Sequence, residues 1–328
     1  MKLTNIHDLP SHIMDIVQHA KSLYNSGKSD YTPSSLNTPP QIRSLMKTHS
    51  FELEQDASET LASILGTGLH DLFERALSDN PKYVVEKRFY RNITMPDGST
   101  RLIGGQIDLY IKPENKLSDY KVTSIFKIRK GENDEWRQQC NINRWIMSKP
   151  LFEHNGELIR IKPFPIDQMS ITAFAKDWRR GESNKDADYP NTPVVEIPIS
   201  FMSDEDVESF IIKTIIDHES SESRECSSEE RWADEPSFAI MKKGGKRAVS
   251  NTVTSDRNVA EAKLIELTES DPNTEYYIDE RNGDMWRRCQ GYCIVSDFCE
   301  QYQKGKASIK KEPKHIDGSK LIAEFDLG

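Results

Sequence analysis

Three strand-like segments between Tyr83 and Thr123 constrain this chain most, because the turns joining them are too short for anything but antiparallel neighbours. Tyr83 to Ile93 is rich in β-branched and aromatic residues, and Pro96-Asp97-Gly98 makes a hairpin turn. Arg101 to Ile111 returns, Pro113-Glu114-Asn115 turns again, and Leu117 to Thr123 is the third strand. In the second strand Ile103, Gly105, Ile107, Leu109 and Ile111 alternate onto one face, which leaves Gln106, Asp108 and Tyr110 on the other.

Helices are expected on both sides of this meander. From Ala57 to Leu77 the residues Leu61, Ile64, Leu65, Leu69, Leu72, Phe73 and Ala76 recur at helical spacing, and Gly66 and Gly68 within them predict that something packs closely against the backbone. Glu132 to Met147 is a second helix, followed by strands at Ser170–Trp178 and Val194–Ile199 and a helix at Asp204–His218. The order predicts an α/β sandwich around a mixed sheet. This core spans residues 51–219. Before it, residues 1–50 form an N-terminal extension with short helices at Leu9–Tyr24 and Gln41–Met46. The Ser-rich, acidic stretch from Glu219 to Glu230 marks a boundary. A module at 220–304 follows, with a strand at Phe238–Lys242, a basic turn at Gly244-Gly245 and a helix at Val259–Thr268. Residues 305–328 are expected to be a flexible tail, ending in the frayed terminus Leu321 to Gly328.

Charged residues make up 30% of the chain and hydrophobic ones 36%, and no apolar run approaches the ~20 residues of a membrane span. A cytoplasmic, membrane-free protein is therefore expected. The formal charge of −9 excludes a protein that coats nucleic acid through bulk electrostatics, because phosphate binding is dominated by Lys and Arg. A local basic groove is still allowed. Lys87-Arg88 with Arg91, Lys127 to Lys130, Arg179-Arg180, Lys242 to Arg247 and Lys304 to Lys314 are clusters that either line a DNA path or are solvated faces.

Asp108 is the only charge in Leu102–Ile111, and Asp119 and Lys121 lie two apart, hence on one face of the neighbouring strand. Carboxylates suit a hard ion such as Mg²⁺, which takes one or two of them and leaves room for a substrate phosphate. A lysine beside such an ion can orient water and meet charge developing on phosphorus. Spacing alone leaves open whether these residues form that site or an exposed ion pair.

The residues His70, Glu86, Gly105-Gln106-Ile107-Asp108, Asp119-Tyr120-Lys121 and Gln139 follow one another in an order that resembles RecB-like nucleases of the PD-(D/E)XK superfamily, including CRISPR-associated exonucleases and phage-encoded relatives. The resemblance covers about residues 31 to 303. It implies a PD-(D/E)XK restriction-endonuclease-like core, and Mg²⁺- or Mn²⁺-dependent DNA cleavage, as an exonuclease, in recombination, repair or processing. By it, His70, Asp108, Asp119 and the Tyr120 carbonyl would ligate metal, Lys121 would be the catalytic lysine, and Glu86 a supporting or second-metal carboxylate. DNA is the implied partner. A different class, a non-catalytic nuclease-fold scaffold working with a helicase or annealing protein, is the alternative. In one departure, relatives carry Tyr four residues after the helix Gln, where this chain has Asn143; Asn143 can share the DNA-facing side with Gln139 but cannot stack on a base. Trp136 or Trp145 would then supply an aromatic surface, if either escapes the core.

Of five cysteines, Cys289, Cys293 and Cys299 are clustered, and Cys226 is the candidate fourth ligand, since Cys140 lies within the 132–147 helix. Four thiolates suit structural Zn²⁺ or an iron–sulfur cluster. The resemblance favours a [4Fe–4S] cluster in a small C-terminal four-cysteine module, with two departures: the first gap of the triplet is one residue wider, and the distant cysteine follows the catalytic motifs. Cys226-Ser227-Ser228-Glu229-Glu230-Arg231-Trp232 is part of the same likeness.

Overall fold

The computed structural model describes residues 2–23, 27–220, 224–281, 285–306 and 314–317. It divides into two compact units, residues 1–43 with 51–223 and residues 44–50 with 224–328. The expected terminus Leu321 to Gly328 lies outside the described residues.

In the first unit, a short parallel pair, β1 (Lys2–Thr4) and β2 (Glu54–Asp56), brackets in sequence the helices α1 (Ser11–Leu23) and α2 (Pro33–Leu36) and the start of α3 (Pro40–Thr48), whose residues from Ser44 on belong to the second unit. Asp56 closes this pair onto helix α4 (Ala57–Leu77). Its carboxylate accepts hydrogen bonds from the amides of Ile6 at 2.7 Å and Ser58 at 3.0 Å, which hold it below the ordinary carboxylate range. Then come β3 (Tyr83–Thr94), β4 (Thr100–Ile111), β5 (Lys116–Thr123), α5 (Ile125–Arg129), α6 (Asp134–Ser148), β6 (Leu151–His154), β7 (Glu157–Arg160), β8 (Gln168–Ala175), α7 (Arg180–Ser183), β9 (Val194–Pro198) and α8 (Asp204–Glu219). The strands make one mixed seven-stranded sheet in the order β7-β6-β3-β4-β5-β8-β9, flanked by helices, in which only β5 and β8 run parallel.

Helix α6 is the hub of the main core. Trp136, Cys140, Asn141, Ile142, Asn143, Trp145, Ile146 and Met147 are all buried, so the helix is covered nearly all round, with the sheet among its partners and α8 among the others. Trp136 and Trp145 are thus core residues and offer no surface for a base. Arg91, expected in a basic DNA-lining cluster, is also buried. Its guanidinium stacks 3.8 Å over the Trp145 ring, donates to the Trp145 carbonyl at 2.7 Å, and pairs with Glu208 at 2.9 Å. The charge is spent tying β3, α6 and α8 together.

Two expectations need correction. Gly66 and Gly68 face open space, with nothing within 4 Å of where a Cβ would stand, and Leu65 and Leu72 of the same helix are exposed. The inward face of α4 is carried by Leu69, His70, Phe73 and Leu77. The alternation along β4 also changes face. Ile103 and Ile107 join the main core, whereas Leu109 and Ile111 pack with Val85, Tyr120 and Phe73. The change falls at Asp108, opposite Glu86, whose φ of 49° takes the β3 backbone out of the extended region.

The second unit contains a three-stranded antiparallel sheet, β10 (Ser237–Lys242), β11 (Tyr276–Arg281) and β12 (Lys314–Asp317), in the order β10-β11-β12. Helix α9 (Arg257–Ser270) packs on it through Ala260 and Leu264 against Ile240 and Ile278. Strand β12 lies inside the segment expected to be a flexible tail and pairs with β11 from Tyr277 to Glu280. The short helices α10 (Arg287–Gly291) and α11 (Glu300–Lys306) carry the cysteine region.

The fully buried Asn141 is the test of how α6 is anchored. Its side chain donates to the Ser200 carbonyl at 2.9 Å and accepts from the Met202 amide at 2.8 Å. Asn141→Leu strands both backbone groups and is expected to destabilise the protein by about 1–3 kcal/mol or more, read as a lower urea midpoint at unchanged slope. An unchanged midpoint would contradict this anchoring role.

Candidate metal centre

Helix α4 and strands β3 and β4 bring His70, Glu86 and Asp108 together, with one ligand atom from each lying within 4.8 Å of the other two. His70 Nδ1 is 2.7 Å from Glu86 Oε1 and 3.6 Å from Asp108 Oδ1. The left-handed backbone at Glu86 is uncommon for a residue with a side chain, and it is held in place on two sides. His70 engages one carboxylate oxygen, and Gln106 Nε2 donates to the other at 2.7 Å. Gln106 is a site residue whose role sequence reasoning missed, although it was placed on the face of Asp108.

Asp108 is buried between β4 and β5. Its Oδ2 accepts the Tyr120 amide at 2.7 Å, replacing a strand-to-strand backbone bond with a side-chain one. Burial, and then the nearby Asp119 carboxylate, push the Asp108 carboxyl well above the usual carboxylate range, against the opposing pull of His70 and Lys121. His70 is raised as well: burial lowers it, but the hydrogen bond to Glu86 and the charge of Asp108 win. Such a crowd of buried acids is a site short of positive charge.

On the other face of β5, Asp119 Oδ2 meets Lys121 Nζ at 2.6 Å, and Gln139 of α6 donates to Asp119 Oδ1 at 2.8 Å. Lys121 is held charged, because Asp119 and Asp108 outweigh the burial that would lower its pKa. The sequence-predicted residues therefore fall into two adjoining sets. His70, Glu86 and Asp108 form a ligand group, while Asp119, Lys121 and Gln139 form a hydrogen-bonded chain beside it. The Tyr120 ring packs against Phe73 at 4.5 Å between centroids, fixing α4 to β5. Of the two helix polar residues expected to touch DNA, Gln139 is half-buried and Asn143 is buried. Gln139 holds Asp119, and Asn143 has its Oδ1 against Gly105, where a Cβ would collide with it.

In the second unit, Cys226 and Cys299 are buried and Cys289 and Cys293 half-buried, with no disulfide among them. Gln301 clamps Cys226 at the end of α11, accepting from its amide at 3.0 Å and donating to its carbonyl at 2.9 Å. Burial first, then Glu230 and the other three thiols, push Cys226 up to about 12; burial and the neighbouring thiols push Cys289 up to about 11, with Arg231 and Arg288 opposing. The thiols are thus close enough to feel one another, and two cations stand near Cys289 to offset a thiolate centre. Their sulfurs do not reach the mutual spacing of the His70 group. Cys140 is buried in the main core of the first unit with Ile142 and Ile146.

No family model matches the chain, and no curated protein matches it. Among solved structures, the crystal structure of SSO0001 overlaps at 16% identity and a TM-score of 0.42, covering 62% of this chain and 83% of that one. So loose an overlap says nothing of function.

The raised values of Asp108 and His70 fix the sign of a prediction. The folded, metal-free protein retains protons that the unfolded chain releases, so its stability falls as pH rises from the ordinary carboxylate range through the raised Asp108 value. A divalent cation displaces those protons, and its affinity is expected to rise over the same window. Calorimetric titration with Mn²⁺ in buffers of different ionisation enthalpy is expected to show proton release, and Asp108→Asn to lose at least about tenfold in affinity. Affinity independent of pH, and unchanged in Asp108→Asn, would contradict the site.

Proposed function

We propose that the chain is a metal-dependent DNA nuclease of the RecB-like PD-(D/E)XK type that hydrolyses phosphodiester bonds at strand ends. One observation carries the reading: a His-carboxylate group with ligand atoms within 4.8 Å adjoins a lysine held 2.6 Å from a second buried carboxylate. The donors fit Mg²⁺ or Mn²⁺. Two hard carboxylates and one imidazole converge, and the buried charge that raises Asp108 is what a cation would neutralise. A cation held by His70, Glu86 and Asp108 would polarise the scissile phosphate.

The remaining work belongs to the chain. Lys121, kept charged by Asp119, orients the attacking water and meets the negative charge that develops on the phosphoryl oxygens. As the water oxygen bonds to phosphorus and releases a proton to solvent, the bond from phosphorus to the departing sugar oxygen breaks, and that oxygen takes up a proton from solvent. Gln139 keeps Asp119 turned toward the lysine. In the second unit, Cys226, Cys289, Cys293 and Cys299 would hold an iron–sulfur cluster as a structural staple. Cys289, Cys293 and Cys299 fall within eleven residues, and Gln301, two residues beyond Cys299, clamps Cys226, which supports grouping them.

End-labelled single- and double-stranded DNA incubated with Mg²⁺ or Mn²⁺ is expected to lose label. Asp119→Ala and Lys121→Ala are expected to lower the rate on the order of 10²-fold or more with unchanged melting profiles. Intact DNA with every metal and end structure would favour a non-catalytic nuclease-fold scaffold. Anaerobically purified protein is expected to carry iron and acid-labile sulfide, lost in Cys226→Ala. Stoichiometric zinc instead would assign those thiols to a structural zinc site.

A further inference from the structure

The parallel pairing of β5 with β8 ends at Thr123 opposite Ala175, so the segments that leave these two strands emerge at the same edge of the sheet. Residues of two basic clusters far apart in sequence, Arg129 and Lys130 of the first and Arg179 of the second, thereby line one cleft of about 550 Å³. That volume lies within the range of small-ligand sites, and the carboxyl end of parallel strands is where open α/β sheets take ligands. Phe126 lines the cleft at 64% exposure, because Ile125 and Ile128 on the same short helix turn into the core. The Lys130 ammonium sits 4.6 Å from the centre of its ring.

The charges of the cleft are unequal in how far they are committed. Asp177 accepts the Ile125 amide at 2.8 Å, and Glu182 is paired with Lys185 at 3.6 Å. Arg129 is paired with Asp186 at 3.0 Å. Among the described residues, Lys130 and Arg179 make no ion pair, so two cations of the cleft are open to an anion. An exposed aromatic ring beside cations that make no ion pair is the chemistry that stacks a base and meets its phosphates.

We infer that this cleft is a single-stranded nucleic-acid subsite, in which a nucleobase stacks on Phe126 and the flanking phosphates lie on Lys130 and Arg179. The nature of the ligand rests on the nuclease reading. Phe126 is five residues beyond Lys121, a chain distance of at most ~18 Å, so a strand seated here leads from or toward the lysine within a few nucleotides.

Binding is measured by fluorescence anisotropy of labelled oligothymidylate with the full-length protein in EDTA, where no cleavage occurs, so a failed nuclease assay does not touch this result. Phe126→Ala is expected to weaken binding about tenfold and Phe126→Trp to preserve it, with melting temperatures unchanged. Lys130→Ala with Arg179→Ala is expected to reduce the dependence of log affinity on log salt by about 1.4, at ~0.7 per phosphate contact on a single strand. Free dTMP is expected to compete only weakly. Wild-type affinity in Phe126→Ala and in the double variant would overturn the subsite, and dTMP binding as tightly as the oligomer would replace it with a mononucleotide pocket.

Discussion

The carboxylate of Asp108, buried between two strands, is the constraint around which the first unit is arranged. It accepts the Tyr120 amide across the β4–β5 seam, which locks the third strand against the second at the level where Asp119 and Lys121 leave it. A buried carboxylate is expensive unless hydrogen-bonded and neutralised. The tertiary structure supplies the first remedy through the Tyr120 amide and part of the second through His70 and Lys121. What is left over is acidity: Glu86, Asp108 and Asp119 crowd against one imidazole and one ammonium, and burial together with the Asp119 charge raises the Asp108 pKa. That residual demand for positive charge is what a cation at the His70, Glu86 and Asp108 group would meet.

Distortion and rigidity are divided between the two faces of the sheet. On the α4 side, the left-handed Glu86 and the face change at Asp108 aim three ligands at one point. On the α6 side, a helix buried nearly all round, pinned by Asn141 to the 200–202 segment and by Arg91 and Glu208 to α8, gives Gln139 a fixed base from which to hold Asp119. Local strain of this kind persists where its surroundings over-determine it, and α6 belongs to those surroundings.

Much of this was legible in the residues, for physical reasons. The expected Ala57–Leu77 helix coincides with α4, and the meander strands and α8 match to within a residue or two at most ends, because period and turn chemistry are local signals. The unassigned hairpin of β6 and β7 also had a local signal: Asn155-Gly156, both at positive φ, but flanked by strands of four residues each that are too short to show alternation. Non-local effects were not legible. The face change in β4 depends on the Glu86 backbone across the sheet, and β12 exists only by pairing with β11. Helical spacing placed Asn143 with Gln139 correctly as neighbours, yet could not tell that this side of α6 is buried against Gly105. The basic clusters at 127–130 and 179–180 looked unrelated until parallel pairing joined them, whereas Arg91 looked available and is buried.

The central claim is that the His70–Glu86–Asp108 group holds a divalent cation next to Lys121. A crystal structure of the protein soaked in Mn²⁺, with data collected at the manganese absorption edge, tests it most directly. The account predicts an anomalous peak bonded to His70, Glu86 and Asp108, with Lys121 still paired to Asp119. Bound Mn²⁺ elsewhere in the molecule, with these three side chains unligated at saturating metal, would contradict it.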